Sequence, residues 1–340
     1  MRSRSGRSAA NPISAGSGVA TLGRIGQLGR RVSLRIYREV IQKRREIEIV
    51  HLPATVSGRK QAFVVALYRS GTTPLRLTLD SHSKIASPPE SQFIRPLFDL
   101  VDDPITVKGL TGLGYTAESY RAELAALAAS MLDSYAEAYK PEATHWVDKT
   151  PHYTLICDSL VEAFGDARFI FLFRNPVFQI DSLTERGRVK SDLLSEYEGS
   201  AVEAGATFWT QAVEAMSAAY MKAADRSLIV GYEELCSEPE RVMKGITEFL
   251  SLEYEPAMLS YADQPHSPGL EGAKAFEFSR FQTVERSVPP WVEDEPLARQ
   301  TYEKAATLLG YEDATSRPSS RRLLEGVESI SRDSSIDASS

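Results

Sequence analysis

The sequence predicts an α/β fold of three layers, in which helices flank a doubly wound parallel sheet on both faces. The prediction depends on apolar runs of strand length: FVVALY at 63–68, RFIFLF at 168–173, SLIVGY at 227–232 and the weaker THWV at 144–147. A run without polar alternation is typical of a strand that is buried on both faces of a parallel sheet. Right-handed crossovers join such strands, and the ligand binds beyond their carboxyl ends.

Stretches with helical periodicity separate the apolar runs, as crossover connections require. They lie at roughly 72–80, 91–101, 118–139, 152–164, 176–187, 200–224, 238–250 and 296–309. A further apolar set of helical period between Leu28 and Ile47 indicates a docking helix.

The length of 340 residues and the hydrophobic content of 42% are sufficient for one large domain. We assign this domain to residues 28–314. Residues 1–27 are expected to form a disordered basic extension. Residues 315–340 hold nine Ser and few apolar residues, and are expected to form a disordered Ser-rich tail.

Charge and composition narrow the class of protein. The net charge of −7 argues against general affinity for nucleic acid. Residues 1–50 hold 11 Lys and Arg against three Glu. The part up to about residue 31 is read as a disordered basic extension or as an organelle transit peptide. No stretch reaches the about 18 to 20 apolar residues of a membrane span, and Cys157 and Cys236 have neither disulfide nor metal-ligand spacing. We expect a soluble cytoplasmic protein, with organelle import as the alternative.

The turn after the first apolar run has the spacing of a phosphate-binding loop. In VVALYRSGTTPLRL, residues 64–77, the spacing from Ala66 to Thr73 is that of G-x-x-x-x-G-K-[ST], with Ala66 replacing the first Gly and Thr72 replacing the Lys. A strand, a bend at Gly71 and a helix N-terminus direct backbone N–H groups to one place, where the helix dipole also favours an anion. The turn therefore predicts an anion site.

The cations around this turn differ from those of a nucleoside triphosphatase, where the Lys reaches the terminal phosphates and a strand-end Asp holds Mg²⁺. Here the cation of the turn is Arg69, and RFIFLF ends in Arg174. Two arginines without such a carboxylate indicate an anionic ligand bound without a metal. Ser182, eight residues after Arg174, could grip the same phosphate; a surface Arg and a solvent-facing Ser fit the spacing equally well.

Three motifs together carry a family resemblance. RSGTT, WVDKTP and RFIFLFRNPVFQIDSL resemble, in order and spacing, the sulfotransferases that use 3′-phosphoadenosine 5′-phosphosulfate (PAPS), over about residues 60–260. The resemblance implies a P-loop-type fold and a motif layout similar to that of tyrosylprotein sulfotransferases. It also implies the residues that bind PAPS: Arg69, Ser70, Gly71, Thr72 and Thr73 at the 5′-phosphosulfate, and Arg174 and Ser182 at the 3′-phosphate. Ala66 and Tyr68 depart from the usual Gly and Pro of the family.

The chemistry of sulfuryl transfer requires positive charge at the bridging oxygen and a base for the acceptor. Arg69 and Lys149 are the candidates for the charge, and the resemblance implies that Lys149 contacts the transferring group. Glu90 lies 21 residues after Arg69, an interval similar to that of the catalytic Glu of tyrosylprotein sulfotransferases. His152 resembles the catalytic His of cytosolic sulfotransferases, displaced by Pro151. We favour Glu90, because a helix that begins at Pro151 could turn His152 away.

The late segment HSPGLEGAKAF resembles a loop that closes over the nucleotide, with Lys274 as a contact, although a flexible surface loop fits equally well. The expected activity is metal-independent, in-line transfer of a sulfuryl group from PAPS to a hydroxyl or amine of a small-molecule or carbohydrate acceptor. The alternatives are a P-loop small-molecule kinase, disfavoured by Thr72 and Arg174, and a non-catalytic nucleotide-binding protein.

Overall fold

The structure is a computed structural model of the chain, and it describes residues 58–184, 191–267, 281 and 287–337. The basic N-terminal extension, the helix expected between Leu28 and Ile47, and Lys274 lie outside the described residues. No helix in the described ranges is long and apolar enough to cross a lipid bilayer.

A parallel sheet of five strands lies at the centre of the described structure, with the strand order β2-β3-β1-β4-β5. The strands are β1 Lys60–Val65, β2 Ile85–Ala86, β3 His145–Lys149, β4 Arg168–Phe173 and β5 Ser227–Gly231. All four predicted runs are strands, and within the described ranges only the two-residue β2 was missed. The chain builds the sheet first on one side of β1 and then on the other, so the carboxyl end of β1 is a topological switch point.

Helices cover both faces of the sheet, and the eight stretches predicted between 72 and 309 coincide with them, the stretch at 152–164 as a 3₁₀ turn followed by a helix. Before β3 these are α1 Thr72–Asp80, α2 Ile94–Asp102, α3 Pro104–Gly112 and α4 Ala117–Tyr139. Between β3 and β5 follow a 3₁₀ turn Pro151–Ile156, α5 Cys157–Ala163, α6 Pro176–Thr184, α7 Ser191–Leu194, α8 Ala201–Lys222 and a 3₁₀ turn Ala224–Arg226. After β5 the elements are α9 Tyr232–Ser237, α10 Pro239–Phe249, a 3₁₀ turn Pro256–Asp263, α11 Trp291–Asp294, α12 Pro296–Leu308 and α13 Ser320–Asp337.

From their third and second residues onward, β1 and β4 are continuous apolar runs because their side chains alternate between two cores. Phe63, Phe169 and Phe171 lie in one core, which α5, α8 and α12 cover. Val64 and Ile170 lie in the other core, which α1 and α10 cover. Full burial of each such side chain contributes about 1.5 to 3 kcal/mol. The two cores confirm the predicted three-layer arrangement of helices, sheet and helices.

The C-terminal residues correct one expectation, because 315–340 contain a packed helix rather than only a disordered tail. In α13, Leu323, Val327 and Ile330 recur at helical spacing and are at most 3% exposed. Gly326 allows a close approach to α12, since a Cβ there would lie 2.3 Å from the carbonyl oxygen of Leu308. The Ser content masked this short apolar stripe, which buries against the sheet layer and so stabilises the helix.

Candidate active site

The turn after β1 places two residues in the left-handed region of the backbone map. The φ angle is 67° at Arg69 and 83° at Gly71. A Cβ at position 71 would lie 2.2 Å from a ring carbon of Tyr232, so both the backbone angle and this neighbour require glycine. Thr72 and Thr73 then begin α1. Because the first N–H groups of a helix have no acceptor within it, the turn directs them beyond the carboxyl end of β1.

The Ser70 hydroxyl holds this turn together from inside. It donates to the carbonyl oxygen of Leu67 at 2.7 Å and accepts from Nε2 of Gln179 at 2.6 Å. The same Nε2 donates to the carbonyl oxygen of Tyr68 at 2.8 Å, and Nε1 of Trp209 donates to Oε1 of Gln179 at 3.0 Å. Gln179 on α6 therefore fixes the shape of the turn.

Arg69 connects the predicted phosphate-binding residues. Its Nε donates to Oγ of Ser182 at 2.8 Å, and the backbone carbonyl oxygen of Arg69 accepts from Nη1 of Arg174. The guanidinium of Arg174 lies 4.5 Å from the ring centre of Tyr232. Arg174 and Ser182 are buried, whereas Arg69 is exposed. The structure thus brings the three predicted residues together at the carboxyl ends of β1 and β4.

A buried ion pair lies at the end of the neighbouring strand. Nζ of Lys149, the last residue of β3, is 2.7 Å from Oε1 of Glu90 in the loop before α2. The Lys149 side chain is fully buried, whereas 17% of the Glu90 side chain is exposed. An ammonium at such a depth requires a nearby anion, and Glu90 supplies it. The pairing unites two of the predicted catalytic residues.

Ser91 fastens the Glu90 loop to β3. Its hydroxyl donates to Oδ2 of Asp148 at 2.7 Å, and its backbone N–H donates to Oγ1 of Thr150 at 3.1 Å. The hydroxyl of Tyr153 also donates to Oδ2 of Asp148. Burial raises the pKa of Asp148 to about 6, against the opposing effect of these hydrogen bonds. The predicted helix at 91–101 therefore begins only at Ile94, because the preceding residues make these contacts.

His152 lies in the 3₁₀ turn that begins at Pro151, and this turn does not direct it away from Glu90. Its Nδ1 is 2.9 Å from Oε1 of Gln92, whose Nε2 donates to Oε2 of Glu90 at 2.9 Å. Its ring also packs edge-on against Tyr68, with 5.2 Å between centroids. The two candidate bases therefore belong to one hydrogen-bonded group, and that group contacts the turn after β1.

Comparison with known proteins decides the family. A model of the family described as "Sulfotransferase family" matches residues 61–256, which is more than half of the chain. The chain belongs to the sulfotransferase family. The resemblance seen in the motifs and the expectation of a sulfotransferase are thereby confirmed, and this family generally uses PAPS as its sulfuryl donor.

Individual sulfotransferases resemble the chain at low identity. Protein-tyrosine sulfotransferase 1 of Danio rerio is 25% identical over 247 residues, covering 69% of this chain and 66% of that protein. The protein-tyrosine sulfotransferase of Drosophila melanogaster is 23% identical over 269 residues, covering 75% of this chain and 52% of that protein. The chain thus spans about half to two thirds of the length of these curated relatives. Among solved structures, the sulfotransferase domain from the curacin biosynthetic pathway has a TM-score of 0.46 and 18% identity, over 82% of this chain and 98% of that chain.

Sequence reasoning missed three residues of this candidate site. Gln92 bonds to Glu90 and His152. Gln179 bonds to Tyr68 and Ser70 in the turn after β1, and the ring of Tyr232 packs against Arg174. One signal was available for Gln179, which lies three residues before Ser182 and thus on the same face of α6. The described residues contain no group of three or more His, Cys, Asp or Glu side chains suited to a metal ion.

Proposed function

We propose that this sulfotransferase transfers a sulfuryl group from PAPS to a hydroxyl or amine acceptor by in-line displacement. The observation that carries the proposal is the placement of two groups of side chains at one edge of the sheet. The first set contains the proposed phosphate-binding residues, which are Arg69, Arg174 and Ser182. The second set contains the two candidate bases and their partners, which are Glu90, Lys149, Gln92 and His152. The contact of His152 with Tyr68 joins them, since Tyr68 directly precedes Arg69.

The donor would bind across the proposed phosphate-binding residues. In the proposal, the N-terminus of α1 and Arg69 receive the 5′-phosphosulfate, because they combine N–H groups with an exposed guanidinium. Arg174 and Ser182 receive the 3′-phosphate, since a guanidinium offers two donors to one phosphate. The cation–π contact with Tyr232 holds the plane of Arg174 in one orientation for this task.

Lys149 would stabilise the charge that develops as the bond from sulfur to the 5′-phosphate oxygen breaks. Positive charge acts most strongly where water is excluded, and the Lys149 side chain is fully buried. The two arginines and this ammonium supply the positive charge within the chain itself. Lys274, outside the described residues, is proposed as a further contact to the donor.

Glu90 would accept the proton from the attacking acceptor. Its carboxylate is the partly exposed member of the ion pair, so an acceptor that arrives from solvent meets Glu90 before it meets Lys149. The proton moves to a carboxylate oxygen while the acceptor oxygen or nitrogen bonds to sulfur and the 5′-phosphate leaves with the bonding electrons.

Two measurements test the proposal. Thermal unfolding should show a larger rise in Tm with 3′,5′-adenosine bisphosphate in EDTA than with Mg-ATP; the reverse order would favour a kinase. Labelled PAPS should then transfer label to an acceptor in pools of small molecules, carbohydrates and tyrosyl peptides. Tyrosyl peptides are included because the two relatives named above are protein-tyrosine sulfotransferases. Nucleotide binding without transfer to any pool would instead support a non-catalytic nucleotide-binding protein.

A further inference from the structure

Gln92 lies between the two candidate bases and contacts both. Its Nε2 is 2.9 Å from Oε2 of Glu90, and its Oε1 is 2.9 Å from Nδ1 of His152. Oε1 of Glu90 is meanwhile paired with Lys149. The order of contacts is therefore Lys149, Glu90, Gln92 and His152.

The chemistry of the partners determines which way the Gln92 amide points. A carboxylate paired with an ammonium only accepts hydrogen bonds, so the NH₂ end of the amide must face Glu90. The carbonyl end then faces His152, and a carbonyl oxygen also only accepts. Nδ1 of His152 must therefore carry a hydrogen, which determines the tautomer of the neutral ring.

The backbone at Gln92 supports a role for this contact. Its φ angle is 55°, in the left-handed region that an unbranched L-residue adopts only at a cost. The neighbouring Ser91 holds the loop in this conformation through Asp148 and Thr150. A strained backbone that is held by its surroundings is typical of a residue with a functional task.

We propose that Gln92 is a positioning residue, which holds the Glu90 carboxylate at Lys149 and keeps His152 in the Nδ1–H tautomer. The catalytic consequence rests on the proposed function, in which Glu90 is the base. The hydrogen-bonded arrangement itself does not depend on that function.

The tautomer of His152 can be read directly by nitrogen NMR. In ¹⁵N-histidine-labelled protein at about pH 8.5, where an imidazole of ordinary pKa is neutral, the His152 signals are assigned by their loss in His152→Gln. We expect the Nδ1–H tautomer in the parent chain and a shift toward the Nε2–H tautomer in Gln92→Met. An Nε2–H tautomer in the parent, or one that Gln92→Met leaves unchanged, would overturn the proposal without bearing on sulfuryl transfer.

Kinetics provide the second measurement. Gln92→Met keeps the length of the side chain and removes both hydrogen bonds, so kcat should fall by about 10- to 100-fold as the base loses its orientation. The affinity for 3′,5′-adenosine bisphosphate should stay within about twofold, because the proposed phosphate-binding residues Arg69, Arg174 and Ser182 are unchanged. The matched control is Gln211→Met, at an exposed position where the amide oxygen accepts a hydrogen bond from the hydroxyl of Tyr197. An equal loss of kcat in both variants, or lost nucleotide affinity in Gln92→Met, would overturn the positioning role.

Discussion

Nζ of Lys149 and Oε1 of Glu90 are 2.7 Å apart, and the ammonium is buried while the carboxylate reaches the surface. The pair therefore connects the interior of the protein to its surface, where the proposed function places the acceptor. Each partner also compensates the charge of the other, so removal of one leaves an unpaired charge behind. Variants at this pair must keep the shape of the side chain for their effect on catalysis to be interpreted.

We expect Lys149→Met to lower kcat by about 10² to 10³ while the affinity for 3′,5′-adenosine bisphosphate changes little. The reason is that charge at the bridging oxygen grows mainly in the transition state, where the ammonium acts. Steady-state kinetics and calorimetric titration give the two quantities. Lys222→Met, which removes an exposed ammonium paired with Asp158 and Glu162, is the matched control. Parallel losses of affinity and kcat would mean that Lys149 only binds the donor.

We expect Glu90→Gln to lower sulfation of a hydroxyl acceptor by about 10² to 10⁴, because the amide cannot take up the proton. His152→Gln should cost far less, since His152 bonds to Gln92, which in turn bonds to the proposed base Glu90. The two variants are compared in the same assay with the same acceptor. An inactive His152→Gln beside an active Glu90→Gln would assign the base to His152.

We expect Arg174→Ala to weaken binding of 3′,5′-adenosine bisphosphate by roughly 1.5 to 3 kcal/mol, the contribution of hydrogen bonds to a charged group. Binding of adenosine 5′-phosphosulfate, which lacks the 3′-phosphate, should change much less. Calorimetric titration of both nucleotides measures the difference. Arg241→Ala serves as control, because Arg241 is exposed and pairs only with Glu234 and Glu238 among the described ion pairs. A variant that still discriminates as the parent does would show that another residue binds the 3′-phosphate.

The buried Asp148 predicts a pH dependence of stability. Its pKa is raised by burial to about 6 in the folded state, above the reference of ~3.9 for an unfolded chain. The folded state therefore binds this proton more tightly, and the resulting stabilisation is complete below about pH 4 and is lost as the pH rises through about 6.

Asp148→Asn has no such proton to lose and can still accept from Ser91 and Tyr153. Between about pH 4 and pH 7, the free energy of unfolding of the parent should fall relative to this variant, by at most about 3 kcal/mol. Urea denaturation across this range measures the difference. A difference that stays constant over this range would contradict the assignment of the raised pKa to Asp148.

The packing of α13 predicts a loss of stability when a side chain of its apolar stripe is shortened. Leu323 is fully buried, so Leu323→Ala should lower the free energy of unfolding by about 2 to 5 kcal/mol. Arg321→Ala, at a side chain that is 89% exposed, should change it by less than about 0.5 kcal/mol. Equal stabilities of the two variants would show that α13 does not belong to the core.

The sheet and the turn after β1 were predictable because their signals are local. FVVALY and the five residues that follow Arg168 in RFIFLF are apolar at every position, and Gly71 follows a strand at the spacing of an anion-binding turn. Periodicity and backbone preference act over a few residues, so they appear in the order of the letters. The apolar stripe of α13 is equally local, and its spacing could have outweighed the Ser content.

The polar contacts of the site depend instead on residues that are distant along the chain. Glu90 and Lys149 are 59 positions apart, and Arg69 and Ser182 are 113 apart. Spacing and resemblance predicted that these residues share a site, but not which side chain bonds to which. Packing of the strands and loops sets those pairings, because a hydrogen bond requires its two atoms to lie within about 3 Å of each other. For the same reason Gln92 has no signal in the sequence, since its role exists only after Glu90 and His152 have been brought to either side of it.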